Sequence, residues 1–398
     1  MACFSTQRLP MLLRSFVISI VLAMTACGGG QSTPTPAAAS PGVQGSADEA
    51  VASGLVGVSF THLDGDTATQ GMAGTRRVGT ADPVQVDDDF MIGSTTKAMT
   101  AALAGSLVKQ GRIAWSTTLA EALPSLAAGM RPAYRPVTLE QLLDHRGGVL
   151  AFEFSDELDR FQTYVQTFKG TLPDTLAGRE RFFAAWILAQ EPPTGITPGQ
   201  DFLYSNAGYA LAALMLEAST GRAFDDLLQQ ELANPLGMTV SWTSSADVLT
   251  NRPVGHVGEK GSLAPVVPEA PDVAVWRDVT RAGGSGLALT ADSYATWVRW
   301  HLQALRGEST PLADGYVQRI KAVQKGSYAM GWYGTSLNSR PAITHSGEYR
   351  GFSSIVAIDQ QGRSATFALT NTFADDGKWV LQLLNSLLIN VDHVLPPK

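Results

Sequence analysis

The sequence predicts an α/β protein of the α+β type, in which an antiparallel sheet is built from N- and C-terminal segments and flanked by helices. Strand-like apolar runs occur early, at 55–61, and return between 328 and 371, where a polar turn at 360–363 separates two of them. Helical periodicity dominates between about 116 and 280. We therefore expect an all-helical subdomain inserted into the sheet domain, with a cleft at their junction.

Two shorter strands are predicted at 67–72 and 75–79, and the next helix begins at Ser94 and ends at Gly111. Thr138 and Gln141 form a capping-box pattern at the start of a later helix. Gly221 ends a helix with one apolar face, and Thr290 starts another. The last elements are strands at 328–333, 342–345, 353–359 and 365–371, followed by an amphipathic helix at about 377–390.

The size and charge of the chain favour a globular protein that does not bind nucleic acid. Its 398 residues are 44% hydrophobic and 16% charged, which is enough for one large core. The formal net charge is −7, and the sequence contains no basic cluster interleaved with aromatic residues. We expect a monomer whose partner is a small-molecule or peptide substrate.

The first 26 residues have the pattern of a signal peptide. Arg8 and Arg14 precede an apolar run at 15–24, and small residues lead to Cys27. This pattern resembles the lipobox of bacterial lipoproteins, although a plain secretory signal or an uncleaved anchor remains an alternative. Residues 27–46 are rich in Gly, Ser, Thr, Pro and Ala and predict a flexible linker before a folded domain at 47–398. We expect a lipid-anchored protein of the cell envelope, on the periplasmic side of the outer membrane, or a secreted or periplasmic one if Cys27 is not lipidated.

The folded part offers no thiol and no metal-binding pattern. Besides Cys27, the one cysteine is Cys3, inside the segment expected to be removed. This distribution excludes a cysteine nucleophile and zinc sites of the Cys type. The histidines lack ligand spacing, so we expect neither a metal nor a cofactor. Gly-x-Ser-x-Gly is also missing from the sequence, which argues against an α/β-hydrolase nucleophile elbow.

Ser94 lies where a strand-like run gives way to a helix. A serine at a helix start has an N–H without an intrahelical partner, and Lys97 follows on the same face. The same spacing recurs at Ser106 and Lys109, in the middle of the predicted helix, where the serine N–H is already used. The second pair is therefore interpreted as structural.

Three motifs follow one another along the chain: Ser94-Thr95-Thr96-Lys97, Tyr204-Ser205-Asn206 and His345-Ser346-Gly347. The ordered set resembles the serine β-lactamase and penicillin-binding-protein superfamily, in the branch with a tyrosine in the second motif. Further similar fragments occur at 142–148, 198–199, 235–238, 283–284 and 330–332, so that the resemblance covers about 56–371. It implies a β-lactamase/transpeptidase-like fold and a serine hydrolase.

The resemblance and the chemistry of the residues together suggest a role for each of them. Serine needs a base within reach, and Lys97 and Tyr204 are assigned as a coupled acid/base pair without a choice between them. The N–H groups of Ser94 and Glu348 would form an oxyanion hole. Asn206 would hold Lys97 or the substrate amide. Ser346 and Gly347 complete the substrate-binding set.

His345 departs from the lysine that β-lactamases and carboxypeptidases usually carry. A mostly neutral imidazole attracts a substrate carboxylate less than a permanent cation does, and Glu348 beside it disfavours anions further. We therefore predict hydrolysis of a small ester or amide by an esterase, a D-amino-acid peptidase or a β-lactamase type of enzyme, with esterase first. The alternative is a non-catalytic cell-envelope binding lipoprotein of the same fold.

Other residues are given structural interpretations. His145 is expected at a helix end, and core packing is the favoured role of a group of aromatic side chains. That group comprises Phe152, Phe154, Phe161 and Tyr164. Arg146-Gly147-Gly148 differs from the usual Thr-Ser-Gly, which should affect packing rather than chemistry. We also expect the N-terminal segment to lack the leading helix that relatives often have.

Overall fold

A computed structural model describes residues 42–394 except 154, 245, 246, 248, 250, 251 and 375–377. The predicted signal peptide, Cys27, most of the linker and Phe154 lie outside these residues. The strands are β1 Gly57–Asp64, β2 Thr67–Gly74, β3 Phe90–Met91, β4 Ser241–Trp242, β5 His256–Glu259, β6 Ser262–Pro265, β7 Leu287–Leu289, β8 Tyr328–Ala329, β9 Trp332–Leu337, β10 Arg340–Tyr349, β11 Phe352–Asp359, β12 Ser364–Thr370 and β13 Thr372–Ala374.

The helices alternate with short 3₁₀ and π turns. They are α1 Val43–Ala52, α2 Thr96–Lys109, α3 Leu119–Ala122, α4 Leu139–Leu143, α5 Ser155–Thr167, α6 Leu176–Ala189, α7 Asn206–Thr220, α8 Phe224–Leu227, α9 Asn234–Leu236, α10 Pro271–Ala274, α11 Ala291–Arg306, α12 Asp314–Lys321 and α13 Trp379–Val394.

Within the described residues, a seven-stranded sheet has the order β2-β1-β12-β11-β10-β9-β8, and all its pairs are antiparallel. N- and C-terminal segments thus share one sheet, as the sequence predicts. Alternate residues of β11 face opposite cores, because side chains alternate across a strand. Val356 and Ile358 join the core that contains α2 and α11, whereas Ile355 and Ala357 pack with α1 and α13. Both faces of the sheet are therefore covered by helices.

Helix α1 corrects two predictions at the N-terminus. It begins at Val43, inside the predicted linker, and it supplies the leading helix that was predicted to be missing. Val43, Ala47 and Ala50 lie on one face and are buried against the outer core. The glycine and serine content of this stretch hid a short apolar face of helical spacing.

Two strand predictions also need correction. The predicted strand at 75–79 is not formed, because Gly74 and Gly79 adopt positive φ and Thr75 makes only an isolated bridge to Pro83. The predicted strand at 328–333 is broken at Met330 and Gly331, whose φ values of 52° and 86° form a tight turn between β8 and β9. A residue with a side chain at 331 would place its Cβ 2.4 Å from the Ala98 backbone of α2.

The segment 116–280 contains α3 to α10 but is not all-helical. Strand β4 pairs with β7, and β5 and β6 form a hairpin that also pairs with β13. These strands are short, and their pairing partners β7 and β13 come from outside the segment, so their local sequence carried little signal. The capping box at Thr138 and Gln141, the left-handed Gly221 after α7 and the Thr290 cap of α11 are confirmed.

Candidate active site

A sharp change of backbone direction places Ser94 in the cleft. Strand β3 ends at Met91, Gly93 takes a φ of +53°, and Gly93–Thr95 forms a 3₁₀ turn from which α2 continues. The helix begins at Thr96, two residues after the predicted start. The carbonyl of Ile92 fixes this turn by accepting hydrogen bonds from Thr95 Oγ1 at 2.8 Å and Ser354 Oγ at 2.7 Å.

Lys97 is fully buried and meets three oxygen acceptors. Its Nζ lies 3.1 Å from Ser94 Oγ, 2.6 Å from Asn206 Oδ1 and 2.5 Å from the carbonyl oxygen of Gly283. Burial lowers the pKa of Lys97 to about 7, against a smaller opposing effect of Glu153. A large fraction of this amine is therefore neutral near pH 7 and able to accept the Ser94 proton.

The second motif is held by the start of α7. Ser205 caps this helix: its Oγ accepts from the Gly208 N–H at 2.9 Å and donates to the Leu150 carbonyl at 2.6 Å. The next residue, Asn206, accepts from Lys97 through Oδ1 and donates from Nδ2 to the Phe152 carbonyl at 3.1 Å. The cap therefore orients the amide that holds the lysine.

Tyr204 contacts both members of the first motif. The Nζ of Lys97 lies 4.6 Å from the centre of its ring, and the Ser94 side chain interacts with its phenol. Burial raises the pKa of Tyr204 well above 10.0, although the Ser94 hydrogen bond opposes this. A phenolate is thus disfavoured in this site, and of the two candidate bases Lys97 has the better matched pKa.

The third motif lies on the free part of strand β10. Pairing with β9 ends at Thr344, while pairing with β11 continues to Tyr349. Gln360 N–H donates to the Pro341 carbonyl. Because hydrogen-bonded pairs alternate along an antiparallel ladder, the residues of β10 that hydrogen-bond to β11 are the odd-numbered ones. The backbone groups of Ser346 and Glu348 therefore point to the other edge, where Ser94 lies.

The two backbones approach each other closely at this edge. A Cβ on Gly93 would lie 2.4 Å from Glu348 N, and a Cβ on Gly347 would lie 2.7 Å from Ser94 N and 2.1 Å from the Ile92 carbonyl oxygen. Only residues without a side chain fit between these segments. The N–H groups of Ser94 and Glu348 thus lie on either side of this contact, as the donors of an oxyanion hole must.

His345 is buried against the same site and is uncharged. Burial and, secondarily, the nearby Lys97 lower its pKa to about 3. Its Nδ1 lies 2.6 Å from the Ser346 carbonyl, so Nδ1 carries the hydrogen and Nε2 is left as an acceptor. Among the described residues Nε2 has no hydrogen-bond partner. The ring lies near those of Tyr204, Tyr328 and Tyr333, at 6.3, 5.9 and 5.5 Å between centres.

The structure thus brings together every residue predicted for the site within the described ranges. It places the second serine–lysine pair outside the site. Ser106 lies inside α2, where its carbonyl accepts from Gln110 N–H, and Lys109 is exposed. Across the described residues, no cluster of His, Cys, Asp or Glu side chains has the arrangement of a metal site.

Two residues of the site were missed as such by sequence reasoning. His145, expected only at a helix end, packs its ring 4.2 Å from that of Tyr204 and accepts from Ser205 N–H at 3.0 Å through Nδ1. It therefore fixes the second motif. Glu153 interacts electrostatically with Lys97 and Tyr204 from the inserted segment. Local sequence carries no signal for it, because Glu153 enters the site through the turn at Phe152, whose φ is +50°.

Glu348 and Glu153 form an acidic pair beside the nucleophile. Burial and then the charge of Glu153 raise the pKa of Glu348 to about 7. The pKa of Glu153 is also raised, chiefly by desolvation of its carboxyl, with Lys97 opposing and Glu157 adding to the effect. As a whole residue Glu153 stays exposed, which places this acid at the mouth of the cleft.

The fold and this constellation are those of the β-lactamase/transpeptidase-like superfamily. The family model described as "Beta-lactamase" matches residues 45–388, and the chain belongs to this family. Its curated relatives include penicillin-binding protein 4 of Amycolatopsis lactamdurans, 29% identical over 58% of this chain and 55% of that protein. Another is the unguisins hydrolase ungD of Aspergillus violaceofuscus, 25% identical over 61% of this chain and 41% of that protein.

Solved structures agree on the fold. The D-amino acid amidase of Ochrobactrum anthropi SV3 superposes with a TM-score of 0.67 at 22% identity, over 88% of this chain and 97% of the amidase. A class C beta lactamase of Rhodobacter sphaeroides gives a TM-score of 0.63 at 18% identity, over 86% and 98%. The chain spans about half the length of the curated relatives it matches. Within the described part of the chain, no helix has the length and apolarity needed to cross a bilayer.

Proposed function

We propose that this protein is a serine hydrolase that forms an acyl-enzyme on Ser94 and cleaves a small ester or amide. One observation carries the proposal: Lys97 Nζ lies 3.1 Å from Ser94 Oγ, in surroundings that lower the pKa of Lys97 to about 7. Serine is a weak nucleophile at its free pKa and needs such a neighbouring base.

Acylation begins with a proton transfer from Ser94 to Lys97. Neutral Lys97 takes the hydroxyl proton while Ser94 Oγ bonds to the acyl carbon and the carbonyl becomes an oxyanion. The N–H groups of Ser94 and Glu348 stabilise that charge, a contribution of about 3–4 kcal/mol per donor in comparable sites. The bond to the leaving group then breaks, and the proton on Lys97 passes to the departing oxygen or nitrogen.

Tyr204 is the route for that proton. Its phenol is in range of Ser94 and keeps its proton because its pKa is raised. Donating this proton to the leaving group while Lys97 replaces it leaves Tyr204 unchanged and Lys97 neutral. In deacylation, a water loses its proton to the same pair and attacks the ester, which restores the Ser94 hydroxyl.

The substrate order we propose is ester first, then D-amino-acid amides or peptides, then β-lactams. The neutral His345 at the third motif supports this order, because a carboxylate-bearing substrate loses its attraction to a cation there. The relatives named a D-amino acid amidase, a hydrolase and a penicillin-binding protein support the broader class of small acyl substrates.

The test is a panel of short-chain 4-nitrophenyl esters, a chromogenic cephalosporin and a D-Ala-D-Ala peptide, together with fluorophosphonate labelling. We expect turnover of the esters and labelling that Ser94→Ala abolishes and Ser106→Ala preserves. Labelling that persists in Ser94→Ala would refute the nucleophile assignment. Ligand binding that Ser94→Ala leaves unchanged, without turnover of any acyl substrate, would favour the non-catalytic envelope binder instead.

We also propose that Cys27 carries a lipid that holds the protein at the cell envelope. The apolar run ending in small residues before Cys27, followed by a Gly/Ser/Thr/Pro/Ala stretch, supports it. Radiolabelled palmitate should enter the wild-type protein in its native host and not the Cys27→Ser variant. Equal labelling of both, or of neither, would contradict the anchor. The monomeric state stays a prediction.

A further inference from the structure

A short 3₁₀ segment supplies one of the acceptors that surround Lys97. The segment runs from Asp278 to Gly283, and the carbonyl oxygen of Gly283 lies 2.5 Å from Lys97 Nζ. The carbonyl one residue earlier, that of Ala282, accepts from Thr100 Oγ1 at 2.9 Å, one turn further along α2. Two successive carbonyls of this 278–283 segment thus contact side chains of the helix that carries the proposed base.

The end of the segment lies between the other two parts of the site. A Cβ on Gly283 would lie 3.2 Å from the carbonyl oxygen of Asn206. A Cβ on Gly284, whose φ is +130°, would lie 2.6 Å from the carbonyl carbon of Gly93. A displacement of the 278–283 segment would therefore move the Gly283 carbonyl relative to Lys97.

The side chain of Arg281 connects this segment to two other elements. Its guanidinium forms an ion pair with Asp225 of α8, and its Nη2 lies 3.6 Å from Asp278 Oδ2 within the segment. The same guanidinium packs over the ring of Trp242 in β4, 5.3 Å from the ring centre. The backbone carbonyl of Arg281 accepts from Gly284 N–H at 3.0 Å, so this side chain and the Gly283 carbonyl belong to one closed turn.

The other polar contacts of the segment fix its shape rather than its place against α8. Thr280 has a φ of −107° and a ψ of 23°, which kinks the backbone one residue before Arg281. The Thr280 hydroxyl is 2.7 Å from Ser285 Oγ and donates to the Arg277 carbonyl at 3.0 Å. These contacts are local, whereas the ion pair with Asp225 reaches another helix.

The charges around Arg281 favour one position of its guanidinium. Three carboxyls interact electrostatically with it, and burial raises the pKa of each while Arg281 opposes the rise; they belong to Glu180, Asp225 and Asp278. The Arg281 side chain is itself mostly buried, with 17% of its surface exposed. Moving this cation away would leave carboxylates without their partner in poorly solvated surroundings, which is costly.

We propose that Arg281 is a positioning residue for Lys97. Its ion pair with Asp225 holds the 278–283 segment in place. The Gly283 carbonyl therefore stays on Lys97 Nζ and keeps water away from it. This inference rests on the proposed hydrolase function, and it adds a residue that lies in none of the three sequence motifs.

Releasing the segment should raise the pKa of Lys97. Burial is the main cause of its value of about 7, and water that enters beside Nζ restores part of the normal solvation of the ammonium. Water oxygens also replace the lost Gly283 acceptor. A rise of one unit reduces the neutral fraction at pH 7 from about one half to about one tenth. The acylation rate at that pH should then fall about fivefold.

The experiment compares Arg281→Met, Arg281→Lys and Asp225→Asn with the wild type. The pre-steady-state acylation rate with a 4-nitrophenyl ester is measured across the acid limb of the pH profile. We expect Arg281→Met and Asp225→Asn to move that limb upward by about one unit, at an unchanged half-saturating substrate concentration. Arg281→Lys keeps the charge and should reverse most of the shift. The double variant should shift the limb no further than Arg281→Met alone, because both changes break the same ion pair.

Arg277→Met is the matched control. It breaks the ion pair between Arg277 Nη2 and Glu269 Oε1, 2.8 Å long and just before the segment, and it should leave the limb in place. A limb that stays in place in both Arg281→Met and Asp225→Asn, or that Arg277→Met moves as far, would overturn the positioning role. A loss of rate that is equal at every pH would also overturn it. Thermal melts identify variants that do not fold, and Asp225→Asn, which keeps the arginine, decides where Arg281→Met is one of them.

Failure of the hydrolase proposal gives a different result. Absence of Ser94-dependent acylation with any substrate would contradict the hydrolase. The pKa of Lys97 is then measured directly, by NMR of lysine isotope-labelled at Cε, with Lys97→Met identifying the signal. A pKa that rises in Arg281→Met and Asp225→Asn but not in Arg277→Met supports the positioning role, and an unchanged pKa overturns it.

Discussion

Replacing Asn206 by Asp tests the assignment of Lys97 as the base. The substitution puts a carboxylate where Asn206 Oδ1 now lies, 2.6 Å from Lys97 Nζ. An adjacent opposite charge raises the pKa of a lysine by about one to three units. The pKa of Lys97 would then move from about 7 to roughly 8–10. Since only the neutral amine accepts a proton, the base becomes scarcer at neutral pH.

The size of the effect follows from the neutral fraction. At pH 7 about half of the lysine is neutral in the wild type, and between about one in ten and one in a thousand would be neutral in the variant. The acylation rate at pH 7 should therefore fall roughly 5- to 500-fold and recover as the pH passes the new pKa. The variant also loses the Nδ2 donor to the Phe152 carbonyl, at a cost of about 1–3 kcal/mol of stability.

The assay is the pre-steady-state acylation rate with a 4-nitrophenyl ester, from about pH 5.5 to 10.5. The wild-type rate should rise with pH through about 7 and then level off. Asn206→Ala is the matched control, because it removes the same donor without adding a charge and should leave the acid limb near or below its wild-type position. Thermal melts confirm that both variants are folded.

Glu348, whose pKa is also raised to about 7, is tested as the source of the limb by Glu348→Gln. A limb that belongs to Lys97 stays in that variant, whereas a limb that belongs to Glu348 disappears. An acid limb that stays near pH 7 in Asn206→Asp, or a loss of rate that is equal at every pH, would refute Lys97 as the base. A wild-type limb above pH 10 would point to Tyr204 instead.

Three further outcomes follow from the structure. Gly347→Ala puts a Cβ 2.1 Å from the Ile92 carbonyl oxygen, so it should displace β10, lower the melting temperature and lower kcat at least about a hundredfold, as loss of an oxyanion donor does; a kcat within threefold of wild type would contradict it. His345→Lys should raise turnover of a carboxylate-bearing cephalosporin relative to that of a neutral 4-nitrophenyl ester, measured as a ratio of kcat/KM; an unchanged ratio would show that residue 345 does not set charge preference. Thr138→Ala removes the capping box of α4 and should cost about 1 kcal/mol in denaturant unfolding while kcat stays unchanged, and an unchanged midpoint would contradict the cap's contribution.

The site was predictable from sequence where its chemistry is carried by short motifs. Ser94 and Lys97 are one helical turn apart, so their contact follows from local geometry. The partners Asn206 and His345 were predicted from the order of the motifs, and the structure places the first directly on Lys97. The choice between Ser94 and Ser106 depended on the helix start, which local sequence also indicated.

The remainder depends on long-range contacts that leave little local trace. Whether Lys97 or Tyr204 has the suitable pKa is decided by burial, which is a property of the whole fold. Glu153 belongs to the site only because Phe152 has a positive φ and the inserted segment approaches α2. The break between β8 and β9 exists because Gly331 is pressed against Ala98, 233 residues earlier in the chain.

The same lysine links catalysis to the assembly of the fold. A shift of its pKa from 10.5 to about 7 corresponds to about 5 kcal/mol against the charged form. Three acceptors offset part of that cost, and they come from three parts of the chain: Ser94 at the end of the β3 turn, Asn206 in the inserted segment and Gly283 at the return to the sheet domain. Lys97 therefore has its working pKa only when all three parts are packed around it. Lys97 can act as a base because the inserted segment and the sheet domain pack together around it.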